Sequence, residues 1–258
     1  MKKLFPLLII TSLIAVSCII NDSHMHAITR LSKVVSAQTS ETVESCTWDS
    51  LGRLKMFSYK HDVYGDPEFT FNYGASGRVD SIHCNYNNNT AYAYYLLNWK
   101  NERELNYMDF YYKHNAVPAF DSRYTFTYDN SVRCTEIRRE GELANSTFYL
   151  EWEYQNLTKL YSTFFNDTTY YINNTYGKGH GIYYDFPEIP LMYHMSMVYY
   201  YFTPNNIVKD IDGEYDYEYN KASNEPTKKY IIKNGKKEHI HSYVYVLIED
   251  GKIVKEIR

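Results

Sequence analysis

Trp48-Asp49-Ser50-Leu51-Gly52-Arg53-Leu54 is followed 25 residues later by Tyr73-Gly74-Ala75-Ser76-Gly77-Arg78-Val79. Each begins with an aromatic residue and a polar or small one. Two variable positions, a glycine, an arginine and an aliphatic residue follow. Tyr128-Asp129-Asn130-Ser131-Val132-Arg133 is a third copy, and weaker ones begin at Trp99, Tyr154 and Tyr219. Glu249-Asp250-Gly251-Lys252-Ile253 lacks the leading aromatic. From Trp48 to Tyr154 the leading aromatics stand 25, 26, 29 and 26 residues apart. A near-constant period means one supersecondary unit repeated.

The unit reads as a β-hairpin turn. Glycine supplies a positive φ without a Cβ clash, and the polar residue can bond the turn backbone. The aromatic ends the inward face, the aliphatic residue restarts it, and the basic residue points outward or packs over a neighbouring ring. The turn glycine is replaced at Arg103, Val132, Thr158 and Ser223, which predicts less regular turns there. Asn234-Gly235 adds a two-residue hairpin signal.

Between the turns the chain alternates with period two. Phe69, Phe71 and Tyr73 oppose Glu68, Thr70 and Asn72; Tyr124, Phe126 and Tyr128 oppose Arg123, Thr125 and Thr127. Phe148, Leu150, Trp152 and Tyr154 oppose Tyr149, Glu151 and Glu153, and Tyr215, Tyr217 and Tyr219 oppose Glu214, Asp216 and Glu218. Such runs are half-buried antiparallel strands. The fold expected is all-β: a meander of hairpin repeats in one strongly curved sheet or half-barrel. Residues 173–205 break the rhythm, and Leu191 to Tyr201 reads as a short helix in an insertion.

The leader sets the compartment. Lys2 and Lys3 precede an apolar run from Leu4 to Val16 that is too short to span a bilayer comfortably, so residues 1–17 read as an export signal. Ala15-Val16-Ser17-Cys18 resembles a bacterial lipobox, although leucine is usual where Ala15 stands. Cys18 is therefore the expected lipidation site, residues 18–40 a flexible tether, and residues 41–258 one hairpin-repeat domain. Cys46, Cys84 and Cys134 then remain, an odd number. They read as small buried strand residues, with a Cys46–Cys84 disulfide the alternative.

Thirty of the 258 residues are tyrosine, beside 12 Phe and 3 Trp. At 44% hydrophobic and 22% charged the chain should fold. Its net charge of −4, with no basic run, makes nucleic acid a poor partner. No zinc-protease helix, serine nucleophile elbow, phosphate loop or Cys-x-x-Cys occurs, so no catalytic residue, metal or cofactor is implied. His239 and His241, two apart on a strand, should share a face, but no third ligand is in view.

The Tyr-Asp-x-x-Gly-Arg-Leu pattern resembles the tyrosine–aspartate repeats of large bacterial surface and toxin shells. Phe186-Pro187-Glu188-Ile189-Pro190-Leu191 and Tyr217-Glu218-Tyr219 with Pro226-Thr227-Lys228 are closer to something else. With the lipobox, they make the chain look like an uncharacterised family of Bacteroides-type lipoproteins described as having a porin-like fold. That resemblance implies an outer-membrane lipoprotein, on the periplasmic or surface face, and transfers no catalytic residue. A pore is not expected, because one strand face carries charges and the chain ends without an aromatic. The function expected is a lipid-anchored binding module for glycan or peptide. Candidate ligand-binding residues are Tyr92, Tyr94, Tyr95, Tyr170, Tyr171, Tyr183, Tyr184, Tyr199, Tyr200 and Tyr201. The alternatives are a structural or assembly protein of the envelope and, more distantly, a hydrolase.

Overall fold

A computed structural model describes residues 27–60, 65–86, 91–114, 118–141, 145–164, 167–181 and 204–257. Its first strands are β1 (Ile28–Ser36), β2 (Thr42–Trp48), β3 (Leu54–Tyr59), β4 (Glu68–Tyr73), β5 (Val79–Tyr86) and β6 (Ala91–Trp99). There follow β7 (Leu105–His114), β8 (Ala119–Tyr128), β9 (Cys134–Gly141), β10 (Ser146–Glu153), β11 (Asn156–Phe164) and β12 (Asp167–Asn173). The last are β13 (Thr175–His180), β14 (Asn205–Lys209), β15 (Glu214–Tyr219), β16 (Pro226–Lys233), β17 (Lys236–Glu249) and β18 (Lys252–Ile257).

Apart from β12 and β13, neighbours in sequence are neighbours in the sheet, and every pairing is antiparallel. The meander returns on itself because β1 pairs with both β2 and β17. β12 and β13 are two parts of one run broken at Asn174; β11 pairs with the first and β14 with the second. β17 is long enough to hold β16 and β18 end to end along one edge. The result is a nearly closed, barrel-like sheet.

Two expectations change here. The tether was expected to run to residue 40, yet Ile28–Ser36 is a strand of the sheet. A register shift between Leu31 and Lys33 puts Leu31 and Val34 both inside, three residues apart, which hides the strand from a period-two reading. The irregular or helical insertion was expected over 173–205, yet Thr175–His180 and Asn205 are strand. Among the described residues no helix occurs. The expected helix Leu191–Tyr201, the leader and Cys18 lie outside the described residues.

The inward face carries an apolar core. Phe57, Phe69, Ile82, Cys84, Ala93, Ile137 and Leu157 are wholly buried within it. Cys46, Cys84 and Cys134 are buried free thiols, and burial raises their pKa values, that of Cys134 to about 12. The outward face carries ion pairs instead: Arg123–Asp109, Arg138–Glu136, Lys159–Glu151 and Lys228–Glu218. A lipid-embedded pore needs the opposite arrangement, apolar outside and polar within.

The turn repeat has a precise structural meaning at one end of the barrel. Trp48 Nε1 donates to the Leu31 carbonyl at 2.8 Å, Tyr73 Oη to Leu54 at 2.7 Å and Trp99 Nε1 to Val79 at 2.7 Å. Trp152 Nε1 donates to Cys134 at 2.7 Å, and Tyr176 Oη to Leu157. Tyr128 works in reverse, its hydroxyl accepting from the Leu105 amide at 2.9 Å. From Tyr73 onward in this series, the residue that restarts one hairpin after its turn is held by the aromatic that ends the next strand pair; Trp48 instead holds Leu31 within β1. The turn arginine joins in: Arg53 lies 4.0 Å over the Tyr73 ring and Arg78 lies 5.7 Å over Trp99. Tyr154, expected as a leading aromatic on the inner face, sits in the turn itself at φ 55° and is 82% exposed. Trp152 takes the leading place, because the β10–β11 turn is too short for the full motif.

Within the turns, Asp49 accepts from the amides of Leu51 and Arg53, and Asp129 from those of Ser131 and Arg133. Arg133 also holds the Asp129 carboxyl below the usual carboxylate range. Gly52 and Gly77 have φ near 70–77°, as the motif requires. Val132 was expected to make its turn irregular. It keeps the same backbone bonds and takes φ 62°, a left-handed conformation that a β-branched residue adopts only under strain.

Replacing Val132→Gly should therefore stabilise the protein by about 1 kcal/mol, read as a higher urea midpoint at unchanged slope. The Tyr73→Phe variant removes only the hydroxyl that satisfies the Leu54 carbonyl. It should lower the same midpoint by the equivalent of ~1–2 kcal/mol.

Candidate functional site

The turns just described close one end of the barrel. The β9–β10 and β11–β12 connections lie at the other end, and beside them the outer surface of β10–β12 differs from the rest. Cross-strand register stacks its outward side chains in three rows. Tyr149, Tyr161 and Tyr170 are directly opposed, with ring centroids 5.6 Å apart at both steps. On one side of them Thr163 opposes Thr168, with Thr147 beside them on β10. On the other side Lys159 and Glu151 form an ion pair at 2.7 Å. Tyr170 is 52% exposed, and Tyr149 and Tyr161 are half-buried. The rings make a continuous apolar strip flanked by hydroxyls and by a charged pair.

The strip leads into a cleft of about 350 Å³. The β10–β11 register begins only at Phe148 and Ser162, while Ser146 and Thr147 stay paired to Arg139 and Arg138 of β9. The strands part beyond Phe148, and Arg138, Arg139, Thr147, Tyr149, Ser162 and Thr163 line the opening. Tyr149 thus belongs to both the strip and the cleft. Behind it, the Tyr171 hydroxyl meets Ser162 Oγ at 3.1 Å and its ring packs edge-on against Phe148. Arg139 Nη2 donates to Asp121 at 3.0 Å, and Arg138 Nε to Glu136 at 2.7 Å.

The sequence candidates divide. Tyr170 and Tyr171 fall in this site. Tyr94 lies on the outer face of a different sector, 4.4 Å from His83 and 6.0 Å from Tyr111, in a row that continues to Phe120. Tyr95 is a correction: it is 1% exposed and stacks on Phe110 in the core, because it alternates with Tyr94 along β6. Tyr92 lies on β6, outside the side chains described, and Tyr183, Tyr184, Tyr199, Tyr200 and Tyr201 lie outside the described residues altogether. The sequence reading missed Tyr149, Tyr161 and both arginines. The signal for Tyr149 was present, since it shares the outward face of β10 with Glu151 and Glu153.

No family model matches the chain, and no curated protein sequence does. Among solved structures it is similar to a porin-like protein from Bacteroides uniformis, at 16% identity over 84% of this chain and 97% of that one, with a TM-score of 0.47. That likeness brings no function with it.

A second polar group lies inside the barrel. The Lys229 ammonium sits 3.7 Å over the Tyr215 ring, and the Tyr215 hydroxyl donates to Asp210 at 3.1 Å. His241 is opposite Lys229 in register. The two histidines expected to share a face do not, because the register shifts between them. His239 stacks on Tyr230, on the outward side, while His241 faces inward. Among the described residues no cluster suited to a metal ion occurs. Burial lowers the pKa of Lys229; it also pushes that of His241 down to about 4, helped by Lys229 and His239.

The unfolded chain protonates His241 near pH 6.5, the folded protein only near pH 4. Folding then competes with protonation, so stability falls as pH drops through this window, by up to ~3 kcal/mol from this group. Urea midpoints measured from pH 7 to pH 4 should show that fall, and a His241→Gln variant should show a shallower one.

Proposed function

We propose that the protein is a binding module of the cell envelope and that its outer β10–β12 surface holds a glycan. The observation that carries this reading is the row Tyr149–Tyr161–Tyr170. Three register-opposed rings at one spacing offer flat apolar faces to sugar rings, and the hydroxyls beside them suit the polar edges of a sugar. The cleft gives the row a recessed end, with a volume in the range of small-molecule sites. In this reading the leader and a lipid on Cys18 tether the domain to a membrane, so that the strip meets glycans at the envelope.

Calorimetric titration with a panel of neutral and acidic oligosaccharides tests the proposal. Binding should weaken by about tenfold in Tyr161→Ala and in Tyr170→Ala, the loss expected for one stacked ring. Both substitutions lie on the outer face, so thermal unfolding should change little. A wild-type protein that binds no member of the panel overturns the reading.

A further inference from the structure

We infer that the glycan taken by this surface is acidic: a sugar on the tyrosine row places a carboxylate or a sulfate ester in the cleft. This rests on the proposed glycan reading and adds the chemical class of the ligand. Arg139 Nε is buried and makes no hydrogen bond among the described residues. That atom is closed to solvent, so a ligand meets Arg139 through the remainder of its side chain, which is 29% exposed and lines the cleft. Its guanidinium is held in place from the far side, through Nη2 to Asp121. Arg138 uses Nε for Glu136 and is otherwise 60% exposed at the side chain, which leaves its terminal N–H groups turned to solvent.

The remaining lining is mostly hydroxyl: Thr147, Tyr149, Ser162 and Thr163. Hydroxyls can donate as well as accept, whereas a guanidinium only donates. The nearby carboxylates of Glu136 and Asp121 are occupied by the arginines themselves. A cleft with donors to spare is matched by a group that only accepts, and carboxylate and sulfate are such groups. Guanidinium presents paired N–H donors that fit their planar or tetrahedral oxygens, in bonds stronger than neutral ones. Tyr149 links the two parts of the site: a ring stacked on it lies at the cleft mouth, within reach of an anionic substituent on its own edge. Glu140 also lines the cleft and is the group that opposes an anion. It sets how strongly the acid is favoured and does not remove the arginine donors.

The test titrates the full chain with four probes: oligogalacturonate, its methyl ester, a sulfated galactan oligosaccharide and its desulfated form. The acidic members should bind at least about tenfold more tightly than their neutral partners, and the preference should shrink at high salt. The galacturonate and galactan arms show which anion is preferred. Arg138→Gln and Arg139→Gln should each cut binding of the acidic probe by about tenfold while leaving the neutral probe within a factor of two. Glu140→Gln should strengthen the acidic probe several-fold. Arg138 is exposed, so its variant folds even if loss of the Arg139–Asp121 pair disturbs the other. Equal binding of acidic and neutral probes, both dependent on Tyr161, overturns the inference and leaves the glycan reading standing. An acidic preference insensitive to both arginines and to Glu140 also overturns it. Binding of none of the four overturns both.

Discussion

A backbone carbonyl beside a hairpin turn loses water when the sheet curls and must be given another donor. In this barrel the donor comes from the neighbouring hairpin. Trp99 reaches back to Val79 and Trp152 to Cys134, and Tyr73 supplies Leu54 with a phenolic hydrogen. Leu or Ile at these positions would fill the same space and leave the carbonyl unsatisfied. The interaction couples each repeat to the one before it, so curvature propagates around the sheet in equal steps. The same aromatics lie against the core, and Arg53 or Arg78 covers the outer side of the ring. One side chain therefore closes a hydrogen bond, extends the core and anchors a cation. The repeat is conserved within the chain as a physical unit, even where its letters change, as Tyr128 shows by accepting a bond where its counterparts donate.

Fastening one end has consequences for the other. The motif turns are tied by Asp49 or Asp129, by arginine and by the aromatic latch, and they leave little freedom in length. The connections at the opposite end carry no such pattern, and β10 can part from β11 beyond Phe148 without disturbing the latches. The cleft forms where the ladder lets go. Its floor is still supplied by paired strands, and the tyrosine row keeps its 5.6 Å spacing across the register shift between Leu160 and Tyr161. A rigid strip that ends in a gap suits recognition of a chain molecule, whose units lie along the strip while one substituent enters the gap.

How much of this was legible in the sequence depends on whether local or non-local order decides it. Period and turn chemistry are local, so the hairpins and their inward aromatics could be read from Trp48–Leu54 and Tyr73–Val79 alone. Strand β1 could not, because its bulge moves Val34 to the same face as Leu31 and destroys the alternation. Bulges also separated His239 from His241. The site was half legible. Tyr170 and Tyr171 stood out as residues the hairpin period did not explain, but Tyr149 and Tyr161 join Tyr170 only through cross-strand register, which composition does not reveal. Tyr95 failed for the converse reason: a run of adjacent tyrosines on a strand must divide between faces, and one of each pair goes to the core.

Tyrosine can serve both ends of this argument because its polar atom lies at the tip of an apolar ring. Turned inward near a turn, the tip satisfies a carbonyl while the ring joins the core. Turned outward on β10–β12, the ring supplies a stacking face while the tip remains in water. The excess of tyrosine is thus one solution used on two faces, and the face decides the role. The outward face carries these rings among ion pairs, and Tyr170 is half open to solvent. Among them, the Tyr149 row meets a recess with guanidinium donors, and the proposed site rests on that conjunction.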